Sequence, residues 1–126
     1  MTLAELAAQD YRELARHAGR LVRLRPGEIL FRQGDEGRDM FVLLDGQVDI
    51  VALEQVIETV KPGDALGILS VLDGQRRSAT ATALTDCELA VLDARVFRFL
   101  VESTPGFVWF VMGELAQRLR ATNAAL

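Results

Sequence analysis

The sequence predicts a mainly β domain, a sandwich or barrel, with helices at both ends. Two observations carry that reading. Between residues 20 and 92, short apolar stretches are broken by turn residues at roughly eight- to twelve-residue intervals, the pattern of a sandwich or barrel. On either side the apolar residues recur at three- and four-residue steps, the spacing of helices. A length of 126 residues suits one compact domain over 1–126, made of a helical segment 1–19, the β region 20–92 and C-terminal helices 93–126. With 50% hydrophobic and 25% charged residues, the composition is that of a folded chain and excludes broad disorder.

Each element follows in order. Leu3, Leu6, Ala7 and Leu14 approach helical spacing, and Gly19 is placed to end one short amphipathic helix. The turn signals are Pro26-Gly27, Gln33-Gly34-Asp35, Asp45-Gly46, Pro62-Gly63-Asp64 and Asp73-Gly74, where proline fixes φ or glycine tolerates a positive one. Between them lie the expected strands: Leu21–Leu24, Glu28–Phe31, Met40–Leu44, Gln47–Val51, Gln55–Val60, Ser78–Leu84 and Cys87–Leu92. Asp45-Gly46 is expected to join two of these as a tight hairpin, with Val48 and Ile50 facing inward and Gln47 and Asp49 facing solvent. Asp93 can cap a short helix through Leu100, and Ser103 or Thr104 a longer one with Pro105 near its first turn. Along that last helix Val108, Val111, Leu115, Leu119, Thr122 and Leu126 make an apolar seam flanked by Arg118 and Arg120. The seam can pack on the chain's own β region or pair with a second chain.

Charge and reactive residues narrow the function. Fourteen Lys+Arg against eighteen Asp+Glu give a net charge of −4, a field that repels polyanions, so direct nucleic-acid binding is not expected. His17 is the single histidine and lies in a predicted surface helix, which argues against a metal centre. Cys87, the one cysteine, cannot form an internal bridge; it falls in an alternating strand with Leu89 and Val91 and fits a reducing, cytoplasmic compartment. No apolar run approaches the roughly 18 residues of a membrane span, and Glu5 and Asp10 stand where a signal peptide needs positive charge. No histidine cluster, paired carboxylates at helical spacing or base beside Cys87 points to catalysis, so no catalytic residue is assigned and an enzyme is not expected.

Two glycine-rich stretches carry a family resemblance. One runs Pro26-Gly27-Glu28-Ile29-Leu30-Phe31-Arg32-Gln33-Gly34-Asp35 toward Leu44-Asp45-Gly46-Gln47-Val48; the other runs Lys61-Pro62-Gly63-Asp64-Ala65-Leu66-Gly67 toward Arg77-Ser78-Ala79-Thr80. Together they resemble the cyclic-nucleotide-binding domain. The segment Glu114–Asn123 is similar to the dimerising helix of the cyclic AMP receptor protein family of bacterial transcription factors. Those factors continue into a helix-turn-helix domain, for which Leu126 is expected to leave no residues.

The resemblance implies an eight-stranded jelly roll with flanking helices, and a short helix after Gly67 that holds the phosphate of cyclic AMP or cyclic GMP. The ligand-binding residues it implies are Gly67, Ile68, Leu69, Arg77, Ser78, Thr122 and Asn123. Arg77 is the candidate guanidinium for the phosphate, Ser78 a hydroxyl donor beside it, and Gly67 a close approach for the backbone. Thr122 and Asn123 match positions that reach over the base. One position departs from the family: Ile68 stands where a glutamate usually accepts the ribose 2′-hydroxyl. Asp64 and Asp73 are the nearby acids able to replace it, although Asp64 suits the Pro-Gly-Asp turn better. The expected function is a non-enzymatic sensory module with weak or altered cyclic nucleotide binding, needing no cofactor and dimerising through its last helix. The alternative is a ligand-free interaction module in which Ile68, Leu66 and Leu69 fill the former pocket.

Overall fold

The computed structural model describes residues 1–125. Thirteen elements follow in order: helices α1 (Leu3–Ala7) and α2 (Arg12–Ala18); strands β1 (Arg20–Leu24), β2 (Ile29–Phe31), β3 (Asp39–Asp45), β4 (Val48–Ala52), β5 (Gln55–Val60) and β6 (Ala65–Leu66); helix α3 (Ile68–Asp73); strands β7 (Thr80–Ala83) and β8 (Cys87–Asp93); and helices α4 (Ala94–Ser103) and α5 (Phe107–Ala125). The strands form two antiparallel sheets, β1-β8-β3-β6 and β2-β7-β4-β5, so the chain is an eight-stranded jelly roll with flanking helices.

Two apolar layers explain why β3 reads as an unbroken hydrophobic run. Phe41 and Leu43 point between the sheets and meet Val48, Val60, Leu66, Ala81, Leu89 and Val91. Met40, Val42 and Leu44 point the other way, toward Tyr11, Ala15, Leu100, Phe107, Phe110 and Val111 of the helices. A strand covered on both faces has no polar side to alternate with.

Several expectations change. The N-terminal helix is two helices, because the Asp10 carboxylate takes the Arg12 N–H and the chain turns to send Tyr11 edge-on against Phe107. Gly19 ends α2 with an extended backbone (φ −102°, ψ 180°); its lack of a side chain matters because a Cβ would lie 2.6 Å from the Val91 carbonyl oxygen. Asp45-Gly46 is not a hairpin: β3 and β4 belong to different sheets, and the dipeptide carries the chain across. Gly46 takes φ 91° there, against the Asp86 carbonyl. The tight hairpin instead joins β4 to β5, where Ala52 pairs with Gln55 and Leu53 and Glu54 adopt φ 54° and 61°. The strand absent from the seven expected segments, β6, has two residues and pairs with Phe41 and Val42.

At the C-terminal end Asp93 caps α4 by accepting the Val96 N–H, and that helix runs past Leu100 to Ser103. Thr104 closes α4, and α5 starts only after Gly106 at φ 91°. The seam divides. Val111 is buried at 4% exposure in the chain's own core and Leu115 packs on it, whereas Val108, Met112 and Leu119 face outward. The outward stripe is Val108, Met112, Leu119 and Thr122, with the half-buried Leu115 at its inner edge completing the alternating four- and three-residue steps; Leu126, the last seam residue, lies outside the described residues.

Candidate functional site

The segment from β6 to β7 builds the site. Gly67 adopts φ 76° as β6 gives way to α3, and Gly74 at φ 69° ends that helix. The chain then returns along the loop after β2: the Arg77 N–H donates to Asp35 (2.9 Å), and the Gly34 N–H donates to Arg77 (2.8 Å). The Arg77 side chain turns inward, leaving the residue only 5% exposed. Its Nη1 donates to the Gly67 carbonyl (3.0 Å), while Nε is buried without a hydrogen-bond partner. The guanidinium carbon lies 4.5 Å from the centroid of the Phe31 ring and 5.5 Å from that of Phe41.

Among the described residues no carboxylate comes within ion-pairing distance of Arg77. Burial pulls its pKa below the ordinary arginine value, and the fields of Asp39 and Asp35 oppose that shift. An arginine keeps its proton in proteins, and this one commits only Nη1, so most of its donors are free, the condition under which a guanidinium receives an anion. Beside it a cleft of about 440 Å³ is lined by Glu36, Gly37 and Arg38 on one bank and Gly74, Gln75 and Arg76 on the other.

The other site residues are placed unequally. Ile68 is 3% exposed and its side chain belongs to the core shared with the helices, so what it can offer a ligand is main chain. Leu69 points outward at 53% exposure and Leu66 is buried between the sheets, so the two do not fill a common pocket with Ile68. Ser78 is exposed in the bend after Arg77. Thr122 and Asn123 are exposed on α5; the Thr122 hydroxyl donates to the Arg118 carbonyl, and no hydrogen bond ties either residue to the Gly67–Ser78 segment. Asp64 accepts the Lys61 N–H and closes its turn, as expected, and Asp73 accepts the Gln75 N–H.

Chain order concealed two features. Phe31 and Phe41 come together around Arg77 from different strands. Arg118, expected only to flank a seam, is instead the centre of an ion cluster with Glu58 (2.5 Å), Glu114 (3.1 Å) and Asp64 (3.7 Å). The described residues hold no cluster of three or more His, Cys, Asp or Glu suited to a metal ion, and none of their helices is long and apolar enough to cross a membrane.

Comparisons with known proteins bear on the family and the fold. The family model for the cyclic nucleotide-binding domain matches residues 21–104. The chain is 36% identical over 77 residues to a cAMP-dependent protein kinase regulatory subunit of Eremothecium gossypii, covering 61% of this chain and 17% of that protein. It is 28% identical over 100 residues to the cAMP-activated global transcriptional regulator CRP of Salmonella typhimurium, covering 75% of this chain and 48% of the relative. The chain thus spans less than half of either protein. Among solved structures, the catabolite activator protein of Thermus thermophilus superposes with a TM-score of 0.76 at 28% identity, over 90% of this chain and 55% of that one.

Proposed function

Because this chain belongs to the cyclic nucleotide-binding domain family, we propose that it is a non-enzymatic, cytoplasmic regulatory module that holds the phosphate of a cyclic nucleotide at Arg77. One observation carries the reading: Arg77 is a buried guanidinium with no carboxylate partner and an unpaired Nε. The relatives named for their response to cAMP, a kinase regulatory subunit and a transcriptional regulator, support cyclic AMP as the first ligand to try. Ser78 and the main chain at Gly67 to Leu69 are the remaining phosphate contacts, and Thr122 and Asn123 those for the base. Ile68 supplies no ribose acceptor; a charge-assisted hydrogen bond contributes roughly 1.5 to 3 kcal/mol, so affinity falls about ten- to a hundredfold below that of a site with glutamate there.

Calorimetric titration with cyclic AMP and cyclic GMP tests this. Wild type gives a binding heat that Arg77→Ala loses; equal affinity in the two proteins removes Arg77 from the site. A second reading, a ligand-free interaction module, is favoured by the burial of Ile68 in the core. It stands if millimolar nucleotide produces neither heat nor a rise in melting temperature.

In either case the outward stripe of α5 is the surface through which the chain pairs with a second copy about a two-fold axis. Each buried Leu, Val or Met contributes roughly 1.5 to 3 kcal/mol, enough in sum to offset an association cost of about 4 to 15 kcal/mol. Light scattering after size exclusion should give a dimer mass that Leu119→Glu lowers to the monomer. A wild-type monomer at high micromolar concentration overturns the pairing.

A further inference from the structure

The position of Arg77 is set by three residues that phosphate chemistry alone does not call for. Phe31 and Phe41, their centroids 5.8 Å apart and their planes inclined by 31°, lie side by side against the guanidinium. Gly37 packs on its remaining side: a Cβ there would clash with Nε, Cζ and Nη2 together. With Nη1 committed to the Gly67 carbonyl, Nε and Nη2 are the donors left over, and they form the parallel fork that a phosphate accepts in bidentate fashion.

Resting on the reading that Arg77 receives an anion, we propose that Phe31, Phe41 and Gly37 are positioning residues of that site. The two rings hold a desolvated cation by attraction to their π faces, where no carboxylate does so. Gly37, having no side chain, leaves room for the guanidinium to lie against them with its Nε and Nη2 edge uncommitted. Such a guanidinium is pre-organised, so little rotamer freedom is lost when the anion arrives.

The full chain is titrated with cyclic AMP and with inorganic phosphate, and the Nε–H signal of Arg77, identified by its loss in Arg77→Ala, is followed by NMR. Stacked on two rings, that proton resonates away from the crowd of exposed arginines. Phe31→Leu, Phe41→Leu and Gly37→Ala should each return it to the crowd and weaken binding about fivefold or more, while Phe31→Tyr, which keeps a π face, retains both signal and affinity. The signal is read without ligand, so a merely destabilised but folded variant would leave it in place. The proposal is overturned if the three variants leave the signal unmoved, or bind as wild type while Arg77→Ala does not. Binding by Arg77→Ala at wild-type strength instead overturns the anion site itself.

Discussion

Two arginines are drawn into this protein, and they meet opposite surroundings. Arg118 reaches from α5 into three carboxylates, Glu58 of β5, Asp64 of the following turn and Glu114 one helical turn back, and its Nε donates to the Ala65 carbonyl. Glu114 also accepts the Ala65 N–H, so the cluster fastens α5 to β5 and β6. Arg77 meets two aromatic rings, a carbonyl and no carboxylate. The difference teaches how to tell a fastening from a handle. A buried cation whose charge is matched from within holds elements together; one left unmatched, under the function proposed above, keeps its donors for an arriving anion.

The sharpest way to break the comparison is Arg118→Ala. Three carboxylates are then left facing one another, partly buried, and stability should fall by about 3 kcal/mol, read as a lower urea midpoint with an unchanged slope. No loss would mean that α5 is held by apolar packing alone. The pH dependence comes next. Desolvation raises the pKa of Glu114, against the N–H of Ala65 and the charge of Arg118, with Asp64 adding to the rise. Between the ordinary carboxylate value and the raised one, the folded chain therefore holds more protons than the unfolded chain, and stability declines as pH rises through that window. Glu114→Gln should flatten the decline in melts taken from pH 4 to 8. Glu88 runs the other way: hydrogen bonding from Arg16 lowers its pKa, so its contribution is present above the ordinary value and lost as pH falls. The smallest effect belongs to the unmatched arginine. Arg77→Met should change ligand-free stability by under about 1 kcal/mol, since an apolar side chain of similar length replaces a buried charge at little cost, while the rise in melting temperature with cyclic AMP disappears. A large loss on Arg77→Met would make Arg77 a fastening too.

The contrast also shows what sequence reveals and what it hides. Local chemistry was legible: the Asp93 cap, the Asp64 turn, the positive φ of Gly74 and the strand segments lie at or near their expected positions. Pairing was not. Asp45-Gly46 signals a positive φ, which Gly46 has, but nothing in a dipeptide says which strand the next one joins. The hairpin at Leu53 and Glu54 gives no turn signal at all, because its left-handed residues cost roughly 1 to 2 kcal/mol each and are imposed by the register of β4 on β5. On α5 apolar residues cover both faces, so the seam read from spacing includes Val111, which is core, and omits its neighbour Met112, which faces outward. Ile68 stands out in the sequence as a hydrophobe where the family resemblance implies a glutamate, and only the packing shows that it serves the core.

The strand order has a consequence for how the chain is made. Among the described residues β4 and β5 are the one pair of sheet neighbours adjacent in sequence; β1 waits for β8, β2 for β7, and β3 for β6 and β8. During synthesis the sheet β2-β7-β4-β5 cannot close until β7 (Thr80–Ala83) has left the ribosome, nor the other sheet until β8 (Cys87–Asp93) has, and until then the early strands offer open hydrogen-bonding edges to any neighbouring nascent chain. Folding should accordingly be slow for a domain of this length, and expression yield should depend more on holding chaperones and low temperature than on the stability of the finished fold.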